Sequence, residues 1–130
     1  MTASEIGDEG GHFFRRLLVG VDGSDGSRRA VNWTARLAIT TGADVVAVYV
    51  LTYDRALLRD LSPDTLRTWR LDLRRDLETT WTDPLRAANV THRAVVVEDD
   101  SPAGGLLAVA AHEQADLLVV GARGRGRLSG

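Results

Sequence analysis

Arg16-Leu17-Leu18-Val19-Gly20-Val21-Asp22-Gly23-Ser24 and, roughly a hundred residues later, Asp116-Leu117-Leu118-Val119-Val120-Gly121-Ala122-Arg123-Gly124 decide the fold of this chain. Each is a short apolar run that stops at an acid or a glycine and enters a loop of Gly, Ser and Arg. Continuous apolar runs bounded by turn residues read as strands buried on both faces. In an open parallel sheet, ligands bind where neighbouring strands end and their connections leave toward opposite faces. A carboxylate at one such end and a glycine-rich, basic loop at the other suit a ribose and a phosphate.

The stretch between them alternates strand and helix. Ser24 or Ser27 is placed to cap a helix carrying Ala30, Val31, Thr34, Ala35, Leu37 and Ala38, and Gly42 to end it. Val45 to Leu51 is a β-branched apolar run, expected as a central strand. A linker with Ala56, Leu57, Leu58 and Leu61 leads to Ser62-Pro63, an N-cap and first-turn proline for a long helix. Leu66, Trp69, Leu73, Leu77 and Trp81 recur at helical steps, predicting one stripe against the sheet. Its charged residues read as a solvated face with i,i+4 pairs rather than a nucleic-acid site. His92 to Val97 predicts a third strand, Ser101-Pro102 a third helix, and Asp116 to Val120 a fourth strand. The order β-α-β-α-β-α-β predicts an α/β fold, an open parallel sheet with helices on both faces.

Composition narrows the functions. At 130 residues there is room for one domain, with 44% hydrophobic and 26% charged residues. Residues 1–14 read as a disordered polar tail with neither the basic nor the apolar region of a signal peptide, and 15–130 as the domain. A net charge of -2 points to neither nucleic acid nor an anionic membrane as partner, and no apolar run is long enough to span one. There is no cysteine, which excludes disulfides and thiolate chemistry; a cytoplasmic protein is expected. All 16 basic residues are arginine, so there is no P-loop or Schiff-base lysine. His12, His92 and His112 have no ligand spacing, so no metal site is expected. Trp33, Trp69 and Trp81 read as packing residues. Ser24 has no neighbouring histidine and no nucleophile-elbow sequence, which argues against hydrolase chemistry.

With these residues in place, the chain resembles the universal stress protein family from about residue 15 onward. The resemblance rests on Leu17 to Ser24 with Ser27 and Ala30 behind it, on Val48-Tyr49-Val50, and on Asp116 to Gly126. It implies a parallel sheet in the order 3-2-1-4-5 and, in many members, binding of ATP or another adenine nucleotide. Nucleotide-binding members carry Gly-x2-Gly-x9-Gly-(Ser/Thr) after the fourth strand. Gly121-Ala122-Arg123-Gly124 matches the first half; the closing pair and the fifth strand would fall beyond Gly130. The resemblance therefore implies the order 3-2-1-4 and a fragment, the alternative being a chain that evolved short.

Several residues carry the expected site. Asp22 ends the first strand, where a carboxylate would accept ribose or adenine donors, or would bond its own backbone before Gly23-Ser24 as a turn residue. The resemblance gives Val50 the position whose backbone meets the adenine edge while its side chain packs on the ring, with Val120 similar; on residue chemistry alone both are strand valines. Gly121 and Gly124 let backbone N–H groups approach a polyphosphate, or form a flexible loop. Arg123, Arg125 and Arg127 would fork phosphate oxygens. An RNA-binding Arg-Gly segment is the weaker reading of so short a run.

The expected function is an adenine-nucleotide-binding stress-response module, a sensor rather than an efficient enzyme, with ATP and Mg2+ as ligand and a homodimer as assembly. Two lost charge-assisted hydrogen bonds at about 1.5–3 kcal/mol each would weaken binding by about a hundredfold or more in a chain ending at Gly130. The alternative is a nucleotide-independent interaction or dimerisation subunit that uses the fourth strand's exposed edge. A nucleotide hydrolase or transferase on the same fold is the third reading.

Overall fold

The computed structural model describes residues 14–52 and 61–122. Residues 1–13 of the expected tail, the linker residues Ala56 to Leu58, and Arg123, Gly124, Arg125 and Arg127 lie outside the described residues, while Phe14 packs against the core. Strand β1 is Arg16–Gly20, β2 Asp44–Leu51, β3 His92–Glu98 and β4 Leu117–Val119; helices are α1 Asp25–Thr41, α2 Pro63–Glu78, α3 Asp83–Ala87 and α4 Pro102–Glu113. The strands pair in parallel in the order β3-β2-β1-β4. That is the expected 3-2-1-4 sheet. The chain advances from β1 through β2 to β3 and then crosses back to β4, so α1, α2 and α3 share one face of the sheet and α4 covers the other.

Alternation along the strands builds two cores. Leu17, Val19, Val21, Val45 and Ala47 pack with Ala30, Val31, Ala35 and Ala38 of α1 and with Leu77 and Leu85. Leu18, Val46 and Val48 face the other way, against Val109 of α4. The period of two sends successive residues to opposite faces, and both are covered, so β1 and β2 carry no polar side chain between Leu17 and Val19 or Val45 and Val48. Each fully buried leucine or valine contributes about 1.5–3 kcal/mol.

Helix ends follow from side chains. Ser24 Oγ accepts from Ser27 N, Ser62 Oγ from Thr65 N and Ser101 Oγ from Gly104 N, so all three expected serines or their neighbours act as caps and the choice at α1 falls on Ser24. Gly42 closes α1 at φ +75°, donating its N–H to the Ala38 carbonyl.

The stripe expected on α2 needs correction. Only Leu73 and Leu77 of the helix are buried; Trp69 is 37% exposed. The helix stops at Glu78, and Trp81 lies past its end, where it stacks on Tyr49 with ring centroids 5.9 Å apart. The short α3 was not foreseen. It forms because Pro84 sits in its first turn and buried Thr82 donates its hydroxyl to the Leu77 carbonyl, turning the chain. Trp33, also expected to pack, is 45% exposed on α1. The solvated face on α2 is as expected: Asp72–Arg75 and Arg74–Glu78 pair within the helix, and Arg70 reaches Glu98 at the end of β3.

The amino ends of the strands are fastened by charge. Arg16 donates from Nε and Nη2 to the two carboxylate oxygens of Asp44, at 3.1 and 3.2 Å, and from Nη1 to the Glu113 carbonyl and carboxylate. Glu113 also pairs with Arg93. Asp116 accepts the backbone N–H groups of Arg15 and Arg16 at 2.7 and 3.0 Å. One residue from each strand or its threshold meets here, which leaves the opposite, carboxyl end of the sheet as the open one.

Candidate functional site

At that open end, β1 stops short of β2. Val21 N–H donates to the Val48 carbonyl at 2.8 Å, and the chain then turns away through Asp22-Gly23-Ser24. Strand β2 continues to Leu51. Peptide groups alternate direction along a strand. Since the Val48 carbonyl faces β1 and the Leu51 carbonyl, which accepts from Asp99 N–H, faces β3, the N–H and C=O of Val50 face the β1 side. There β1 no longer runs beside them. A donor and an acceptor of one residue thus point into the space past the end of β1.

Asp22 is fixed by its turn. Its Oδ1 accepts from Ser24 N–H at 2.9 Å, and its own N–H donates to Ser27 Oγ at 3.3 Å. Ser27 Oγ donates in turn to the Ser24 carbonyl at 3.1 Å. The turn role is therefore realised, and the same bonds hold the carboxylate on the rim of the open end. Across from it, β4 brings in Val120 and Gly121. A Cβ on Gly121 would lie 2.5 Å from the carbonyl carbon of Gly26 and 2.9 Å from Ser27 N, so the strand end abuts the first turn of α1. Only glycine fits that approach.

These elements enclose a cleft of about 310 Å3, lined by Asp22, Val50, Val120 and Gly121 together with Gly20, Ser27, Tyr49, Thr52, Pro102 and Leu106 among others. Its walls differ in character. Val48, Val50, Pro102, Leu106 and Val120 are apolar, while Asp22, Ser27 and Thr52 supply oxygen atoms. A slot with one apolar wall and a few convergent polar groups is the form of a small-molecule site. A hollow of about 410 Å3 lies outside the first turn of α1, lined by Arg28, Asn32, Thr80 and Trp81 among others. No strand end opens into it.

Four of the expected residues, Asp22, Val50, Val120 and Gly121, surround this one cleft. Arg123, Gly124 and Arg127 are outside the described residues. Sequence reasoning did not place Ser27, Tyr49, Pro102 or Leu106 here. Ser27 had a local signal, a hydroxyl five residues after the strand-end acid; the seating of α4 has none, because it depends on how the helix crosses the sheet. Among the described residues no group of three metal-ligating side chains forms. Nor is any described helix long and apolar enough to cross a membrane.

A parallel α/β sheet with a cleft at its switch point defines the class. Within it, the profile of the universal stress protein family matches residues 13–130, and the chain belongs to that family. No match was found among curated proteins. Among solved structures, a protein of the universal stress protein family from Burkholderia pseudomallei is 27% identical, with a TM-score of 0.69 over 84% of this chain and 82% of that one. A universal stress protein in complex with cAMP is 23% identical, with a TM-score of 0.59 over 81% of this chain and 70% of its own. The universal stress protein from Archaeoglobus fulgidus in complex with dAMP is 15% identical, with a TM-score of 0.62 over 83% and 81%. At these identities the last two show a shared fold.

Proposed function

We propose that this chain is an adenine-nucleotide-binding module of the universal stress type, a stress-response sensor or regulator rather than an efficient enzyme, with residues 15–130 as its domain. The observation that carries this reading is the cleft in which the Val50 peptide group, the Asp22 carboxylate and the Gly121 strand end face one another. The base would lie against Val50 and Leu106 with its edge on the Val50 N–H and C=O. Asp22 would accept a ribose hydroxyl, and Val120 would close the apolar wall. Gly121, and beyond it Arg123, Gly124 and Arg127, would take the phosphates. ATP is the proposed ligand, with Mg2+ carried on its phosphates. Two proteins of this fold were solved with cAMP and with dAMP, which supports an adenine nucleotide. A cytoplasmic homodimer completes the proposal.

Titration with ATP to millimolar concentration, followed by the backbone amide resonances of residues 20–27, 48–52 and 118–122, tests it. Shifts confined to those three segments support the reading; no shift at any of them ends it. Phosphate release at a steady rate abolished by Asp22→Ala would instead make the protein a hydrolase.

A second reading rests on β4. Among the described residues this strand pairs only with β1, and Val120 is 55% exposed beside Trp33 at 45%. An open edge with apolar neighbours is a template for another chain. On this reading the protein is an interaction or dimerisation subunit that needs no nucleotide, and light scattering that finds only monomer at high concentration excludes it.

A further inference from the structure

Helix α4 carries two glycines in its first turn, Gly104 and Gly105. Glycine is the poorest helix former after proline, and neither residue has the positive φ that would call for it; among the described residues those glycines are Gly23 and Gly42. Space accounts for Gly105. A Cβ built on it would lie 2.6 and 2.8 Å from the two methyl carbons of Val50 and 3.2 Å from Asp99 Cβ. Valine is stiff about χ1, so its methyls yield only by leaving their rotamer or by moving the strand. The next residue of the helix, Leu106, bears on β1: a Cβ on Gly20 would be 3.1 Å from its Cδ1. Through this pair of contacts α4 rests on the ends of both central strands.

Resting on the reading that Val50 packs against an adenine ring, we infer that Gly105 is a positioning residue for the base. Its bare backbone lets α4 seat against Val50, and that seating sets the Val50 isopropyl group and the Leu106 side chain at a fixed separation across the cleft. A single methyl at position 105 pushes Val50 into the space the ring would fill. Gly105 acts through Val50 and does not itself meet the ligand. A consequence follows for Val50→Ala: once the two methyls are gone, a methyl at 105 displaces nothing that lines the cleft, and only the 3.2 Å approach to Asp99 Cβ, outside it, remains.

The experiment is a double-variant cycle on the full chain, with AMP as the probe and affinity read by calorimetry or amide shifts. Gly105→Ala is expected to weaken AMP binding by about tenfold. In the Val50→Ala background the same change is expected to alter affinity by no more than about twofold, the usual limit of additivity. A general loosening of the fold would act alike in both backgrounds. Equal weakening in both, or wild-type affinity in Gly105→Ala, overturns the positioning role and leaves nucleotide binding intact. If the wild-type chain binds neither AMP nor ATP at millimolar concentration, the nucleotide reading falls and this inference with it; if it binds ATP alone, the same cycle is read with ATP. Should Gly105→Ala alone fail to fold, the comparison of Val50→Ala with Val50→Ala/Gly105→Ala decides: matched affinities support the inference and unmatched ones overturn it.

Discussion

Gly121 and Gly26 approach so closely that a Cβ on Gly121 would lie 2.5 Å from the Gly26 carbonyl carbon and 2.6 Å from its oxygen. The obstacle is backbone, not a side chain that can swing away. This approach brings the end of β4 to the first turn of α1, whose N-cap is Ser24 and whose preceding loop holds Asp22. The approach is open only to a residue without a Cβ at position 121.

Gly121→Ala therefore separates β4 from α1. Overpacking of this kind costs about 1–3 kcal/mol, and the urea midpoint is expected to fall accordingly. Nucleotide affinity is expected to drop as well, because Gly121 and Asp22 move apart. A variant with wild-type midpoint and wild-type affinity would show that the approach is not needed for either.

Asp22 has two duties that a substitution separates. Asparagine keeps an oxygen to accept the Ser24 N–H, now held at 2.9 Å, while losing the charge. Asp22→Asn is expected to stay within about 1 kcal/mol of wild-type stability, the net worth of one hydrogen bond. Its affinity for ATP is expected to fall by about tenfold, as one charge-assisted bond to the ribose weakens. Asp22→Ala is expected to lose both. Calorimetry and thermal melts on the two variants read the duties independently.

The fold and the strand-end half of the site were legible in the sequence for the same reason. Leu17 to Val21, Val45 to Leu51 and Asp116 to Val120 are apolar runs with turn residues at their ends, so their existence, order and carboxyl termini follow from local pattern. Asp22, Val50, Val120 and Gly121 sit at those termini and inherit their meeting from the topology. What was not legible depends on distances between elements. Pro102 and Leu106 line the cleft only because Gly105 lets α4 come down on Val50. Trp69 and Trp81 fit one helical stripe on paper, yet the helix ends at Glu78 and the two rings part company. Thr82, which turns the chain there, carries no signal until its hydroxyl is seen on the Leu77 carbonyl.

At the other end of the sheet, Glu113 predicts a response to pH. Its carboxyl is held below the ordinary carboxylate range, chiefly by the hydrogen bond from Arg93, with the charges of Arg93, Arg16 and His112 adding and burial opposing. A depressed value in the folded state means that the ionised form stabilises the fold. That contribution is complete above the unfolded value of about 4.3 and is lost as pH falls through the lower folded value. Glu113→Gln is expected to be less stable than wild type at neutral pH, with the gap closing in acid below about pH 4. No gap at any pH would mean that the backbone carbonyl of Glu113, which Arg16 also holds and which the variant keeps, does the fastening.

Two of the three tryptophans, Trp69 and Trp81, provide the sharpest contrast. Trp81 is partly buried, packs against the α1-side core and stacks on Tyr49, a residue that also lines the cleft. Trp69 stands 37% exposed on α2. Truncating a packed aromatic costs about 3–5 kcal/mol, whereas exposed substitutions fall within about 0.5 kcal/mol. Trp81→Ala is thus expected near the lower end of that range, since part of its surface is already in water, and Trp69→Ala close to neutral. Because the Trp81 ring supports Tyr49, its loss is also expected to weaken nucleotide affinity, and Trp69→Ala is not. Denaturation curves paired with ATP titrations on both variants check the contrast. Equal costs for the two would restore the single stripe that the helical spacing suggests, and would place Trp69 in the core.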